Sequence, residues 1–124
     1  MPQKLLAILA ASTLFISACG SGGPVEAANM DQLHQHVLDA GGICDDYEDR
    51  GEAPGIPGSE LRACNDEFVL AWFASNELAE YWSDGLYSVG QETLVGGTWA
   101  ILAKMETLET LRGSLGGTIK DGKG

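Results

Sequence analysis

The chain has 124 residues, enough for one small domain with a single core. Seven Lys and Arg stand against 18 Asp and Glu, a formal charge of −11 at pH 7. That excess excludes a nucleic-acid binder, which needs a positive face, and adsorption to anionic lipid through a polybasic patch.

Residues 1–4 carry one charge, Lys4, and Leu5 to Ile16 then run without charge, Pro or Gly. As a helix that run rises about 18 Å, short of the roughly 30 Å hydrocarbon core, so it predicts a secretory signal rather than a spanning helix. It ends in Ile16-Ser17-Ala18-Cys19, which resembles the bacterial lipobox: an aliphatic residue, two small residues, then the cysteine whose sulfur takes diacylglycerol. The expectation is residues 1–18 as a lipoprotein signal peptide, 19–28 as a lipidated flexible tether, 29–120 as a single domain and 121–124 as a tail. Cleavage before Cys19 would leave 106 residues and, with Lys4 gone, a charge of −12. Attachment to the membrane then falls to the lipid on Cys19, whose two acyl chains suffice where one does not. The expected location is the extracytoplasmic face of the cell membrane.

With Cys19 consumed by lipid, Cys44 and Cys64 remain as a pair in an oxidising compartment, where a disulfide is expected. Asp45-Asp46 beside Cys44 is the reverse of the basic setting of a reactive thiol.

In chain order, Asn29 is placed to cap a helix to about Ala40, with Met30, Leu33, Val37 and Ala40 on one stripe and Gly41-Gly42 as its stop. Ile43 to Tyr47 reads as a short strand and 49–59, with two Pro and three Gly, as a loop. Leu61–Cys64 and Phe68–Phe73 predict two antiparallel strands around Asn65-Asp66, the second central because both its faces are apolar. Ser75 caps a second helix with Leu78, Trp82, Leu86 and Val89 on one face, ended by Gly90. Leu94 to Leu102 is one strand interrupted by Gly-Gly or two strands with a tight turn. Glu106–Leu115 is a helix with Leu108, Leu111 and Leu115 inward, and Thr118–Lys120 an edge strand. The fold class is α+β: a small, mostly antiparallel sheet with helices packed on one face and one disulfide, with a ferredoxin-like split βαβ arrangement as the alternative.

Four stretches, Asp39-Ala-Gly-Gly-Ile-Cys44, Cys64 with Phe68–Ser75, Tyr81-Trp82 and Val95-Gly-Gly-Thr-Trp-Ala100, together resemble the small lipoproteins of actinobacteria and their phages. The resemblance covers most of residues 30–103. It implies a surface lipoprotein of shared fold and carries over no catalytic residue. For a prophage-encoded chain it implies interference with infection by a second phage.

His34 and His36, the two histidines, point about 200° apart on a helix and cannot hold one metal ion from one face. They read as solvated or half-buried helix residues. The acids Asp45, Asp46, Glu48, Asp49 and Glu52 read as a solvated loop rather than a calcium site. Counted from Asp45, the EF-hand pattern meets Tyr47 at its third position and Arg50 where glycine is required; counted from Asp46, Pro57 replaces its last carboxylate. Gly-x-Ser-x-Gly, His-Glu-x-x-His and phosphate-loop patterns do not occur, so the expectation is a non-enzymatic protein without a cofactor. Trp72, Trp82 and Trp99 read as core, Trp72 most securely, with Tyr81 as the exposed aromatic. The expected function is a protein-interaction module with a partner at the cell envelope. The alternatives are a small-molecule or ion-binding surface lipoprotein and a structural envelope component.

Overall fold

The computed structural model describes residues 23–65 and 67–121. The expected signal peptide, Cys19 and residues 122–124 lie outside the described residues. Asn29 is extended, and its side-chain oxygen accepts from the Gln32 N–H, opening α1 (Met30–Asp39) on a buried stripe of Met30, Leu33 and Val37. The sheet then follows as β1 (Tyr47–Gly51), β2 (Glu60–Cys64) and β3 (Phe68–Trp72). α2 (Asn76–Ser88) starts where Ser75 Oγ accepts from the Leu78 N–H. The chain closes with β4 (Thr93–Gly96), β5 (Trp99–Leu102), α3 (Met105–Leu115) and β6 (Thr118–Lys120).

The strands form one six-stranded sheet in the order β1-β2-β3-β5-β4-β6, every pairing antiparallel. β3 is central, as its doubly apolar run predicts. Leu94 to Leu102 resolves into two strands, with Gly97 at positive φ in the tight turn between them. Gly96 is required by packing, since a Cβ there would overlap the Trp99 ring.

The first strand lies later than its sequence suggests. Ile43 is 66% exposed and Cys44 sits in a loop, whereas β1 starts at Tyr47, the last residue of the expected strand, and runs to Gly51 in the expected loop. The disulfide and Asn65 explain the difference, because together they hold residues 43–46 as a corner. Cys44 and Cys64 are bonded at 2.04 Å. Asn65, at φ 56, accepts from the Asp46 N–H at 2.6 Å, donates its side-chain amide to Ile43 O at 3.1 Å, and donates its backbone N–H to Asp46 O.

Alternation along the strands divides the core in two. Leu70, Leu94, Trp99 and Ile101 point to one face, beneath α1 and α3. Their neighbours Ala71, Val95 and Ala100 point to the other, beneath α2 and the loop carrying Ala53 and Ile56. The one-faced arrangement thus describes α1 and α3, while α2 covers the reverse side. Trp99, not Trp72, is the fully buried tryptophan, and Val89 is 69% exposed rather than on an inward face. α2 turns Ala79 and Ser83 toward the sheet, flanked by half-buried Leu78, Trp82 and Leu86. Small side chains let the helix sit close over Ala71 and Ala100, and the buried Ser83 hydroxyl is satisfied by Ala79 O at 3.0 Å.

Residues 24–28 correct the expectation of a tether with nothing to bury. Ala27 is buried and Val25 packs against the main core. Both Ala27 O and Val25 O accept indole N–H bonds at 2.8 Å, from Trp72 and Trp99 respectively, and Thr98 Oγ1 donates to Ala27 O at 3.0 Å. The Val25 N–H donates to Leu115 O at 2.9 Å, and His36 Nε2 lies 2.9 Å from Glu26 O, a contact that places the hydrogen on Nε2. Gly116, at φ 77, passes so close to Pro24 that a Cβ would clash with it. Pro24 to Ala28 therefore belong to the folded unit, as a strap laid across the ends of β3, β5 and α3.

Candidate functional site: an aromatic hollow beside α2

Between α2 and the loop 52–59 lies a hollow of about 470 Å³, lined by Pro54, Ile56, Tyr81, Trp82, Asp84, Gly85 and Leu86. Its geometry follows from the close seating of α2. Ala79 and Ser83 face the sheet, so Trp82 and Leu86 project sideways and Tyr81 outward, where it is 68% exposed. Trp82 is held from behind by Phe73, with ring centroids 5.6 Å apart and planes tilted by 47°. Gly85 leaves the floor open, with no atom near its absent side chain.

The opposite wall is a loop with internal order. The Ser59 hydroxyl accepts from the Ala53 N–H at 2.8 Å and donates to Ile56 O at 2.7 Å. The Ile56 N–H donates to Ala53 O, and the Glu52 carboxylate accepts from the Gly58 N–H at 2.9 Å. Ala53 and Ile56 are thereby pinned into the second core, and Pro54 stands between them at the rim. Preformed apolar concavity with few polar groups is the ordinary form of a binding site.

The sequence places Tyr81 correctly as an exposed aromatic. It does not reveal the loop's half of the hollow, because a Pro- and Gly-rich stretch carries no periodicity. The one available signal is the pair Ala53 and Ile56, apolar residues isolated in such a stretch.

The acidic residues form no comparable site. Within β1 their side chains alternate instead of converging: Glu48 pairs with Arg50 at 2.7 Å, whereas Asp49 pairs across the strands with Arg62 at 3.2 Å. Arg62 also meets Glu60 at 2.9 Å, and Asp49 accepts from the Gly51 N–H. Among the described residues, no group of three or more His, Cys, Asp and Glu is arranged to hold a metal ion. His34 stacks on Tyr47, centroids 3.8 Å apart and planes within 5°, and so joins α1 to the edge strand. Burial pushes the Tyr47 hydroxyl above its usual range, against the pull of the Arg62 guanidinium. His36 instead serves the strap. Among the described residues, no helix is long and apolar enough to cross a membrane.

No family model matches the chain, and neither a curated protein nor a solved structure matches it.

Proposed function

We propose that the chain is a lipid-anchored, extracytoplasmic interaction module that binds an envelope protein through the hollow beside α2. The observation that carries this reading is the exposed Tyr81 at the rim of a largely apolar depression whose two walls are fixed by packing and hydrogen bonds. A preset aromatic next to a cavity is the usual form of a binding hot spot, because little entropy is lost when a partner's apolar side chain enters. The anchor rests on Ile16-Ser17-Ala18-Cys19, and the Cys44–Cys64 bond accords with the oxidising side of the membrane. By its resemblance, a prophage-encoded copy would act in superinfection exclusion.

A photo-crosslinking side chain at position 81, in the parent chain and in Cys19→Ala, tests both halves in intact cells. The parent chain is expected to fractionate with membranes and give one reproducible protein adduct. Cys19→Ala is expected in the soluble fraction, folded but without that adduct. A Cys19→Ala chain that stays membrane-bound would sink the anchor. A parent chain that never crosslinks to protein from position 81 would sink the interaction.

A further inference from the structure

The hollow beside α2 is walled by two segments that carry acids and no base. α2 holds Glu77, Glu80 and Asp84, and the loop 52–59 holds Glu52. No Lys or Arg is among the residues that line the hollow. Resting on the binding role proposed for that hollow, we infer that its partner is a cationic protein segment. One apolar side chain enters between Trp82 and Pro54, while flanking Lys or Arg side chains cross the outer face of α2.

Helical spacing places the charges. Glu77 stands four residues before Tyr81 and Asp84 three after it, so the exposed tyrosine has a carboxylate on each side of it along the helix. Among the described residues no base pairs with Glu77. Glu80 and Asp84 share one ammonium, Lys120 Nζ, at 2.5 and 2.6 Å. The lysine therefore fixes both carboxylates in place and neutralises only one of them. Its own state records the excess: burial opposes the ammonium charge, yet the hydrogen bonds and charges of Asp84 and Glu80 raise its pKa above the ordinary value. From Glu77 to Asp84 the helix rises about 10 Å, which an extended segment covers in about three residues. Two cations at that separation, with the apolar residue between them, reach both ends of the acidic stripe.

The other described bases do not cancel this charge. Arg62 lies opposite Leu70 in the strand register and Arg112 on α3, both on the side of the main core. Arg50 and Lys104 line a separate hollow of about 440 Å³ past the end of α2, where Glu67 and Glu92 balance them. Arg50 is besides paired with Glu48 at 2.7 Å. The two parts of the contact then act differently. Burial of the apolar side chain supplies attraction without direction, whereas the acidic stripe selects which segment enters and speeds its approach. The face of the Tyr81 ring, which attracts a cation, adds to that selection.

The probes are acetyl-Lys-Gly-Leu-Lys-amide and its counterpart acetyl-Glu-Gly-Leu-Glu-amide, titrated into the full lipidated chain in phosphatidylcholine nanodiscs. Binding is read from the NMR signal of the Trp82 indole N–H, identified by its loss in Trp82→Phe. In about 0.1 M salt, where charges act over about 10 Å, the lysine peptide is expected to bind about tenfold more tightly than the glutamate peptide. In about 1 M salt, where that range falls to about 3 Å, the advantage is expected to vanish. Glu77→Lys is expected to cut the advantage below about threefold, and Glu109→Lys, the same change of charge on exposed α3, to leave it within a factor of about two. Equal binding of the two peptides, or an advantage that survives Glu77→Lys, overturns the cationic partner and leaves the hollow as an interaction site. A Trp82 signal that neither peptide moves, while position 81 still crosslinks to an envelope protein, overturns the cationic partner too and spares the proposed function. Neither peptide binding nor an adduct from position 81 would remove both.

Discussion

The two faces of the sheet are closed by different means. One carries α1, α3, the strap and the disulfide, and there Leu33, Val37, Leu70, Leu94, Trp99, Ile101 and Leu108 are wholly buried. The other carries one helix and a loop over small residues, Ala71, Ala79 and Ala100, and leaves Tyr81 and Trp82 at an open rim. Large aliphatic side chains interlocked beneath two helices supply most of the burial energy. A helix seated on alanines supplies less, but it turns its bulky residues outward. In this division the first face holds the domain together and the second presents a surface.

The strongest test of that division is to open the closed face at its staple. The bridge joins residues 20 apart, with Cys64 completely buried in the main core. Cys44→Ala with Cys64→Ala is expected to lower the unfolding free energy by about 3 kcal/mol, chiefly by releasing the unfolded chain. For a domain near 100 residues this is a fall of roughly 15 °C in Tm, measurable by calorimetry. A loss under about 1 kcal/mol would mean that the staple is incidental to this face.

A smaller effect is expected at the strap. Thr98→Val removes one donor to Ala27 O, and Trp72→Phe removes the other. Neutral hydrogen bonds of this kind contribute about 1 kcal/mol each, so the double variant is expected to lose about 2 kcal/mol. The loss should show first in amide exchange, with the Val25 N–H, bonded to Leu115 O, losing its protection ahead of the β3 and β5 amides. If Val25 exchanged only with the global unfolding event, the strap would be part of the core rather than a separable layer.

How much of this was legible in the sequence depends on whether a feature leaves a local pattern. α1 and α3 were readable because Leu33 and Val37, or Leu108, Leu111 and Leu115, recur at helical spacing, and the starts of α1 and α2 because Asn29 and Ser75 are local caps. The Cys44–Cys64 pair was readable by elimination. The strap was not, because Pro24 to Ala28 has no periodicity and the side chains that hold it most firmly, Trp72, Thr98 and Trp99, are 45 to 74 residues away along the chain. Read locally, Trp72 and Trp99 are bulky apolar residues, and only the fold shows their N–H groups aimed at two strap carbonyls. β1 was misplaced for a related reason: Tyr47 to Gly51 is nearly all polar, and it is a strand because β2 offers it an edge. The hollow was half legible, with Tyr81 visible as an outward aromatic on α2 and Pro54 and Ile56 concealed in a loop.

The smallest expected effect probes the open face. Lys120, on edge strand β6, places Nζ 2.5 Å from Glu80 Oε1 and 2.6 Å from Asp84 Oδ1 of α2. Those two acids are four residues apart on one helix and repel each other, so a cation between them holds α2 to the sheet edge. Burial of the ammonium works against its charge, but the hydrogen bonds and charges of Asp84 and Glu80 outweigh it, and the lysine is raised above its ordinary value of 10.5. Because the folded value is the higher one, the contribution is complete below pH 10.5 and is lost as pH rises through the folded value. Both carboxylates are more than half exposed, so water and salt screen the pairs and each contributes about 0.2 to 1 kcal/mol. Lys120→Met should therefore cost about 1 kcal/mol at pH 7, less in 1 M salt, and almost nothing once the pH exceeds the folded value, as read from urea unfolding. Asp84 also lines the hollow, so the same substitution should weaken crosslinking from position 81 while Val25 keeps its exchange protection. Loss of Val25 protection in Lys120→Met would show that the two faces yield together, and the division between a holding face and a presenting face would fail.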